Sequence, residues 1–352
     1  MFPGIQTPAV LVDIDVVKRN ILRFQTYADA HGLKVRPHIK THKLPAIAEL
    51  QLQAGAVGVT CQKISEAEAM AAGSGLIRDI LITYNIVGDE KLRALGALAD
   101  KVKLAVVADS RIVVDGLSAA FAGRDRALTV LVECNTGADR CGVASPENAA
   151  ELADAITKAP GLDFGGLMTY PPLGGAANVQ AFMSRAKTLI ERAGLTVSCV
   201  SSGGTPDMMS AHMAPATTEY RPGTYVYNDR SLVSRGACGW DDCALTVLAT
   251  VVSTPAVNRA IVDAGSKILT SDLLGLSGYG HVLGRPDIAI DQLSEEHGRL
   301  TAAADIGLKV GQTVKIVPNH ACVVSNMVDA AHIVSGGEVV AVWPVVARGK
   351  II

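Results

Sequence analysis

Eight short apolar runs, most of them separated by a stretch with helical periodicity, constrain the fold of this chain more than any other feature. The runs are KVRPHI (34–39), AVGVTC (56–61), DILITY (79–84), KLAVVA (103–108), LTVLVEC (128–134), FGGLMTY (164–170), TVSCVSS (196–202) and TYVYN (224–228). Between them, SEAEAMAAG, GDEKLRALGALADK, SPENAAELADAITK and VQAFMSRAKTLIERAG carry apolar residues three and four apart, with glycine or lysine near their ends, as amphipathic helices do. Strand then helix, repeated about eight times over a length near that of a closed barrel, predicts an α/β fold of the (β/α)8 TIM-barrel type. An open doubly wound sheet is the alternative.

After residue 240 the rhythm changes. ALTVLATVVS, RAIVDAG, TVKIVP and GEVVAVWPVV are β-rich runs split by Pro, Gly and Asn, without long helices between them, and they predict a second, all-β domain. The opening TPAVLVDI is also strand-like and precedes the first helix, so it is expected to cross over and pair there. The expected organisation is therefore a barrel over 13–240 and a β-domain made of 1–12 plus 241–352.

Composition narrows the partners. The 352 residues are 49% apolar and 19% charged with a formal charge of −2, which gives no electrostatic reason to expect nucleic acid or an anionic membrane. No stretch approaches the roughly 18 consecutive apolar residues of a membrane helix, and the start has no basic segment followed by an apolar one. A cytoplasmic protein with a small-molecule ligand is expected. The seven cysteines are an odd number without framework spacing, and Cys61, Cys134 and Cys199 sit in or next to β-branched apolar runs, as reduced core residues do.

In such a barrel, reactive groups come from the C-terminal ends of strands, and the loops after the last two strands commonly hold a phosphate. Lys40 follows the first run directly, and SSGGTPD (201–207) follows the seventh, with paired glycines exposing backbone N–H groups just before a helix expected to begin around Pro206. A lysine paired with a phosphate cradle suggests pyridoxal phosphate, whose aldehyde needs an amine and whose phosphate needs an anchor. Taken alone, Lys40 reads as a solvated strand-end charge, as most lysines are. Arg140, in NTGADRCGV after the fifth run, offers a permanently protonated fork to the cofactor's phenolic oxygen. Tyr170 ends the sixth run and Gln62 follows the second, so both are placed to line the same mouth; a half-buried tyrosine satisfying its hydroxyl is the other reading of Tyr170.

PNHAC (318–322) is a second constellation. On an extended segment His320 and Cys322 point the same way, and imidazole with thiolate suits zinc or a similar divalent ion, although two ligands alone are equally a structural pair. His297 in SEEHG is a weaker candidate. Cys238 and Cys243 read as packing residues, and His38 and His42 as local hydrogen-bonding partners of the segment around Lys40.

RPHIKTHK, CQKISEAE, NTGADRCGV, SSGGTP, YRPGTYVYND, DAGSK, SEEHG and PNHAC, taken together and in order over nearly the whole chain, resemble the metal-dependent D-threonine aldolase and D-serine dehydratase family. The resemblance implies fold type III of the pyridoxal phosphate enzymes, an alanine-racemase-like barrel plus β-domain, and a homodimer. It also implies roles: Lys40 as the Schiff-base lysine, Arg140 near the pyridine hydroxyl, Gly203, Gly204 and Thr205 as the phosphate loop, Tyr225 as a further cofactor contact, and His320 with Cys322 as holders of a Zn, Mn or Mg ion. The substrate class implied is a D-β-hydroxy-α-amino acid. Two reactions stay open. Overall similarity, with CQKISEAE and the N-terminal third, favours retro-aldol cleavage to glycine and an aldehyde. Against it, family aldolases typically carry aspartate where Cys322 stands and a histidine shortly after the sixth-strand tyrosine, and YPPLGGAANVQ has none. Those departures resemble the dehydratases, which eliminate water to give a keto acid and ammonia. A pyridoxal phosphate carrier without turnover and an alanine-racemase-type isomerase are the remaining alternatives.

Overall fold

The computed structural model describes residue 2 and residues 4–352; Met1 and Pro3, part of the segment expected in the β-domain, lie outside the described residues. The chain divides into two compact units, one of Leu22–Lys40, Pro45–Gly223 and Lys350–Ile352, the other of Met1–Ile21, Thr41–Leu44 and Thr224–Gly349.

The first unit is the barrel. Its strands are Lys34–Val35, Val59–Cys61, Asp79–Ile82, Lys103–Ala108, Leu128–Cys134, Leu162–Thr169, Val200–Ser202 and Glu219–Tyr220, paired in parallel, with the eighth beside the first. The ring closes where the Val57 N–H donates to the Val35 carbonyl at 2.9 Å, the Thr60 N–H to that of Pro37 at 2.8 Å, and His38 bridges Thr60. Leu81, Val107, Leu131 and Met168 fill the interior, one from each of four neighbouring strands. The helices follow from local sequence. Ser145 caps Pro146–Lys158 by accepting the Asn148 N–H at 3.1 Å, Pro146 sits in its first turn, where a missing N–H costs nothing, and Lys158 meets the negative end of its dipole. Arg111–Phe121 buries Val113, Val114, Leu117 and Phe121, a single stripe at helical spacing.

The eighth barrel strand differs from the sequence expectation. TYVYN is not a strand: Thr224–Val226 is a turn of 3-10 helix after Pro222-Gly223, and the barrel strand is Glu219–Tyr220. The reason is charge burial. Glu219 and Arg221 are buried in the barrel, with Glu219 Oε1 accepting from Ser201, Oε2 accepting from Arg36 at 2.8 Å, and Arg221 donating to Ser201 and to the Thr169 carbonyl. Arg36 also pairs with Asp79 at 2.6 Å, so this chain of paired charges links the first, third and eighth strands. A charged strand is affordable only where every charge is met, which hydropathy does not reveal.

The second unit is built on a mostly antiparallel sheet. Ala9–Asp13 lies between Leu245–Ala256, antiparallel to it, and Ala330–Ser335, parallel to it. Thr313–Val317 pairs with Leu245–Ala256 on the same sheet. Among the described residues no helix is long and apolar enough to cross a membrane.

Candidate active site

In the barrel unit, Lys40 lies just past the first strand, exposed, in the one-turn 3-10 helix Ile39–Thr41. A short relay sets its backbone. The Gln62 amide donates to the Thr83 carbonyl at 2.8 Å, so its Oε1 accepts from His38 Nε2 at 3.0 Å, and His38 Nδ1 is left to accept the Lys40 N–H at 3.4 Å. The relay requires neutral His38 protonated on Nε2. Gln62 is thus fully committed to tying the ends of the first three strands together.

Arg140 and Tyr170 are both exposed, with the guanidinium carbon 4.9 Å from the ring centroid. Tyr170 also reaches the glycine pair, since a Cβ on Gly204 would stand 3.5 Å from its ring. Three of the expected cofactor positions therefore adjoin one another. Gly203 has φ +145°, and a Cβ there would lie 2.6 Å from the Arg221 backbone nitrogen. Thr205 Oγ1 accepts the Gly223 N–H at 3.1 Å and the Gly204 carbonyl accepts from Tyr220 at 3.0 Å. Among the described residues the N–H groups of Gly203, Gly204 and Thr205 meet no acceptor, and next to an open Gly204 they form a cradle of the kind a phosphate fills. No long helix starts here: the segment after Asp207 is the short 3-10 helix Met208–Met213, so the cradle relies on loop amides instead of a macrodipole. Gly203→Ala is expected to cost at least about 1–3 kcal/mol, because the backbone must leave its position; urea unfolding of the variant measures this, together with weaker uptake of the cofactor.

In the second unit, His320 Nδ1 lies 2.7 Å from Asp272 Oδ2, which leaves Nε2 to hydrogen bond with Cys322. Cys322 Sγ also lies 3.1 Å from Thr41 Oγ1 and 3.5 Å from Thr224 Oγ1. His320 and Cys322 do stand side by side, but not by the extended segment that the sequence suggests. His320 is extended but caps the helix Ala321–Met327, so Cys322 sits in a first helical turn, not on a strand. Asp229, wholly buried, holds that helix start by accepting the Ala321 N–H at 3.1 Å. Burial pulls the His320 imidazolium down, but the hydrogen bond to Cys322 and the Asp272 carboxylate outweigh it, and the net is a rise to about 9. Burial pushes the Cys322 thiol up, yet His320 and the two threonines bring it below its ordinary value. The imidazole and the thiol each favour the other's charged form, and a divalent ion would take the place of the proton between them. Among the described residues no third His, Cys, Asp or Glu atom closes on the pair. An ion held there would keep open positions, as catalytic sites do, and the donor set fits a borderline-soft ion such as zinc.

Tyr225 is buried at 1% exposure in the second unit, and His297 is exposed in the turn between Ala289–Leu293 and Gly298–Thr301. Cys238 and Cys243 are free thiols within hydrogen-bonding reach of each other. Sequence reasoning missed Thr41, Thr224, Asp229 and Asp272. Asp229 and Thr224 lie inside a motif singled out for its tyrosines, and Thr41 follows Lys40, so only Asp272, 48 residues from its partner, had no signal.

Comparison with known proteins places this arrangement. The profile "Alanine racemase, N-terminal domain" matches residues 12–231 and "Putative serine dehydratase domain" matches 244–334. The crystal structure of D-threonine aldolase from Filomicrobium marinum superposes with a TM-score of 0.92 at 35% identity, over 99% of this chain and 97% of that one. The chain belongs to the D-threonine aldolase and D-serine dehydratase family. Within it, the 3-hydroxy-D-aspartate aldolase of Paracoccus denitrificans (strain Pd 1222) is 34% identical over 98% of this chain and 93% of its own. The D-threo-3-hydroxyaspartate dehydratase of Delftia sp. (strain HT23) is 32% identical over 96% and 97%. A cysteine-to-alanine mutant of a dehydratase of that name has been solved in a metal-free form. The fold is thus the alanine-racemase-like one, a parallel eight-stranded barrel sheet with a separate mostly antiparallel sheet.

Proposed function

We propose that this chain is a cytoplasmic, homodimeric lyase, dependent on pyridoxal phosphate and a divalent ion, that cleaves D-β-hydroxy-α-amino acids to glycine and an aldehyde. The His320–Cys322 pair with Asp272 behind it, which racemisation has no use for, supports a metal-dependent lyase, and the observation that favours cleavage within that class is the 35% identity and TM-score of 0.92 to a D-threonine aldolase. When bound, pyridoxal phosphate supplies an aldehyde for the substrate amine and a ring that takes up electrons released at Cα, and the divalent ion, Zn, Mn or Mg, supplies a Lewis acid for the β-hydroxyl.

Lys40 Nζ would hold the cofactor covalently, the amides of Gly203, Gly204 and Thr205 its phosphate, and Arg140 its phenolic oxygen. Gln62, through His38, keeps the Lys40 backbone in place. Tyr170 stands beside Gly204 of the cradle, and for Tyr225 a cofactor contact is what the resemblance implies. His320 Nε2 and Cys322 Sγ would hold the ion while Asp272 fixes the ring, and a base at the substrate hydroxyl oxygen completes the retro-aldol step.

A second reading, elimination of water as in the D-serine and D-3-hydroxyaspartate dehydratases, is favoured by the thiolate donor Cys322 and by the absence of histidine from YPPLGGAANVQ. There Lys40 Nζ would take the Cα proton, placing the base at carbon instead of oxygen. Incubating the purified protein with D-threonine, pyridoxal phosphate and zinc or manganese ions separates the two. Acetaldehyde with glycine is the expected result; 2-oxobutanoate with ammonia establishes elimination, and neither product overturns both.

A further inference from the structure

In the barrel unit, Asp109, Glu133 and Cys141 bring one carboxylate oxygen each and a thiol within 4.8 Å of one another. Glu133 is next to last in the fifth strand and 4% exposed, and among the described residues no donor hydrogen bonds to its carboxylate, whose oxygens keep a little solvent contact. A carboxylate held this deep gains from a counter-charge or a proton. Arg140 and Arg221 lie close enough to favour its charge, but burial and Asp109 outweigh them and push Glu133 up to about 7; burial and the same two carboxylates push the Cys141 thiol up.

The frame around the cluster is rigid. The Val143 N–H donates to the Glu133 carbonyl at 2.8 Å and the Asn135 N–H to that of Val143 at 3.0 Å, which folds the loop back so that Cys141 returns beside Glu133. The Gly142 N–H donates to Asp109 Oδ2 at 3.1 Å, tying the fourth strand's end to the same turn and leaving Oδ1 available. Gly142 is required there, with φ +107° and the Asn135 nitrogen 2.6 Å from where a Cβ would stand. Asp109 and Val143 also line an open cavity of about 500 Å³.

We propose that Asp109, Glu133 and Cys141 form a second divalent-metal site, built of donors other than His320 and Cys322, which clamps the loop carrying Arg140. Zinc fits two carboxylates and one thiolate, with water at the fourth position. Around tetrahedral zinc such donors stand about 3.4–3.6 Å apart, so the present cluster needs to contract by only about 1 Å, within reach of side-chain rotation at the exposed Cys141. The cation answers what the loop leaves unmet: it neutralises the carboxylates crowded together there and gives Glu133 a partner. The competing account is a proton held on Glu133, with no affinity for metal.

Cobalt(II) is the probe, because thiolate bound to it gives an ultraviolet charge-transfer band. The full-length chain carries His320→Ala and Cys322→Ala, so that the other site is silent, and is titrated with cobalt chloride after chelator treatment. The expected result is a single cobalt per chain with a thiolate band, both lost on adding Cys141→Ser and, separately, Glu133→Gln. Absence of the band in the double variant overturns the proposal, as does a band that survives Cys141→Ser, which assigns it to another thiol such as the Cys238–Cys243 pair. Far-UV circular dichroism confirms that each variant is folded; Cys141 is exposed, so its serine substitution tests the site even if Glu133→Gln does not fold.

Discussion

Lys40→Ala is expected to bring the protein out of purification colourless when supplied with pyridoxal phosphate, and to lower turnover at least about 10²–10⁴-fold, the scale of losing one proton-transferring group, before loss of covalent attachment is added. The side chain is exposed, and the substitution keeps the backbone N–H that the relay through His38 and Gln62 grips; far-UV circular dichroism checks that the variant is folded. Lys40→Arg is the sharper control. It keeps the charge and the length, but a guanidinium stays protonated and cannot attack an aldehyde or take a proton from carbon, so it should fail as completely as alanine. Absorbance of the bound cofactor and product formation from D-threonine read the two effects separately. A parent protein that is yellow and inert, with the colour lost in Lys40→Ala, would assign the chain to the carriers; a yellow Lys40→Ala variant would remove Lys40 from the chemistry.

The same lysine illustrates what was legible in the sequence. Strands whose apolar runs are continuous, such as Leu128–Cys134, and helices with explicit caps, such as Pro146–Lys158 behind Ser145, are specified by their own residues and were readable from them. Glu219–Tyr220 was not, because it is half charged and becomes a barrel strand only once Arg36, Ser201 and Arg221 have closed around it. TYVYN was misread for the opposite reason: an apolar, aromatic run after Pro-Gly satisfies a strand pattern, but its burial comes from packing around a 3-10 turn. Chemistry followed the same division. The residues of PNHAC could be named as a candidate donor pair, while Asp272, which hydrogen bonds to one of them, lies in a loop 48 residues away where nothing local distinguishes it. Groups that act through another side chain carry no spacing rule.

Removing the divalent ion should be as damaging as removing Lys40, and the geometry ranks the residues around it. A chelator is expected to abolish lyase activity, and zinc or manganese ions to restore it. Cys322→Ala should not recover, because Thr41 and Thr224 hydroxyls replace a thiolate poorly, and His320→Ala should fail in the same way. Cys322→Asp is expected to keep part of the activity, an oxygen anion being the donor that the resemblance implies for family aldolases. Asp272→Asn differs in kind. It leaves both donor atoms in place and weakens only the 2.7 Å contact that turns Nε2 toward Cys322, so metal affinity should fall about 10–100-fold while saturating metal restores turnover. Asn319 donates to the Asp272 carbonyl and Thr270 Oγ1 accepts the Asp272 N–H at 2.8 Å, so the loop that presents the carboxylate stays ordered in the variant. Metal titrations of activity and equilibrium dialysis of zinc distinguish the classes: loss that excess metal cures marks an orienting residue, and loss that it does not cure marks a ligand. If Asp272→Asn were incurable and Cys322→Ala curable, the ion would be held by the carboxylate and the roles assigned to this pair would be reversed.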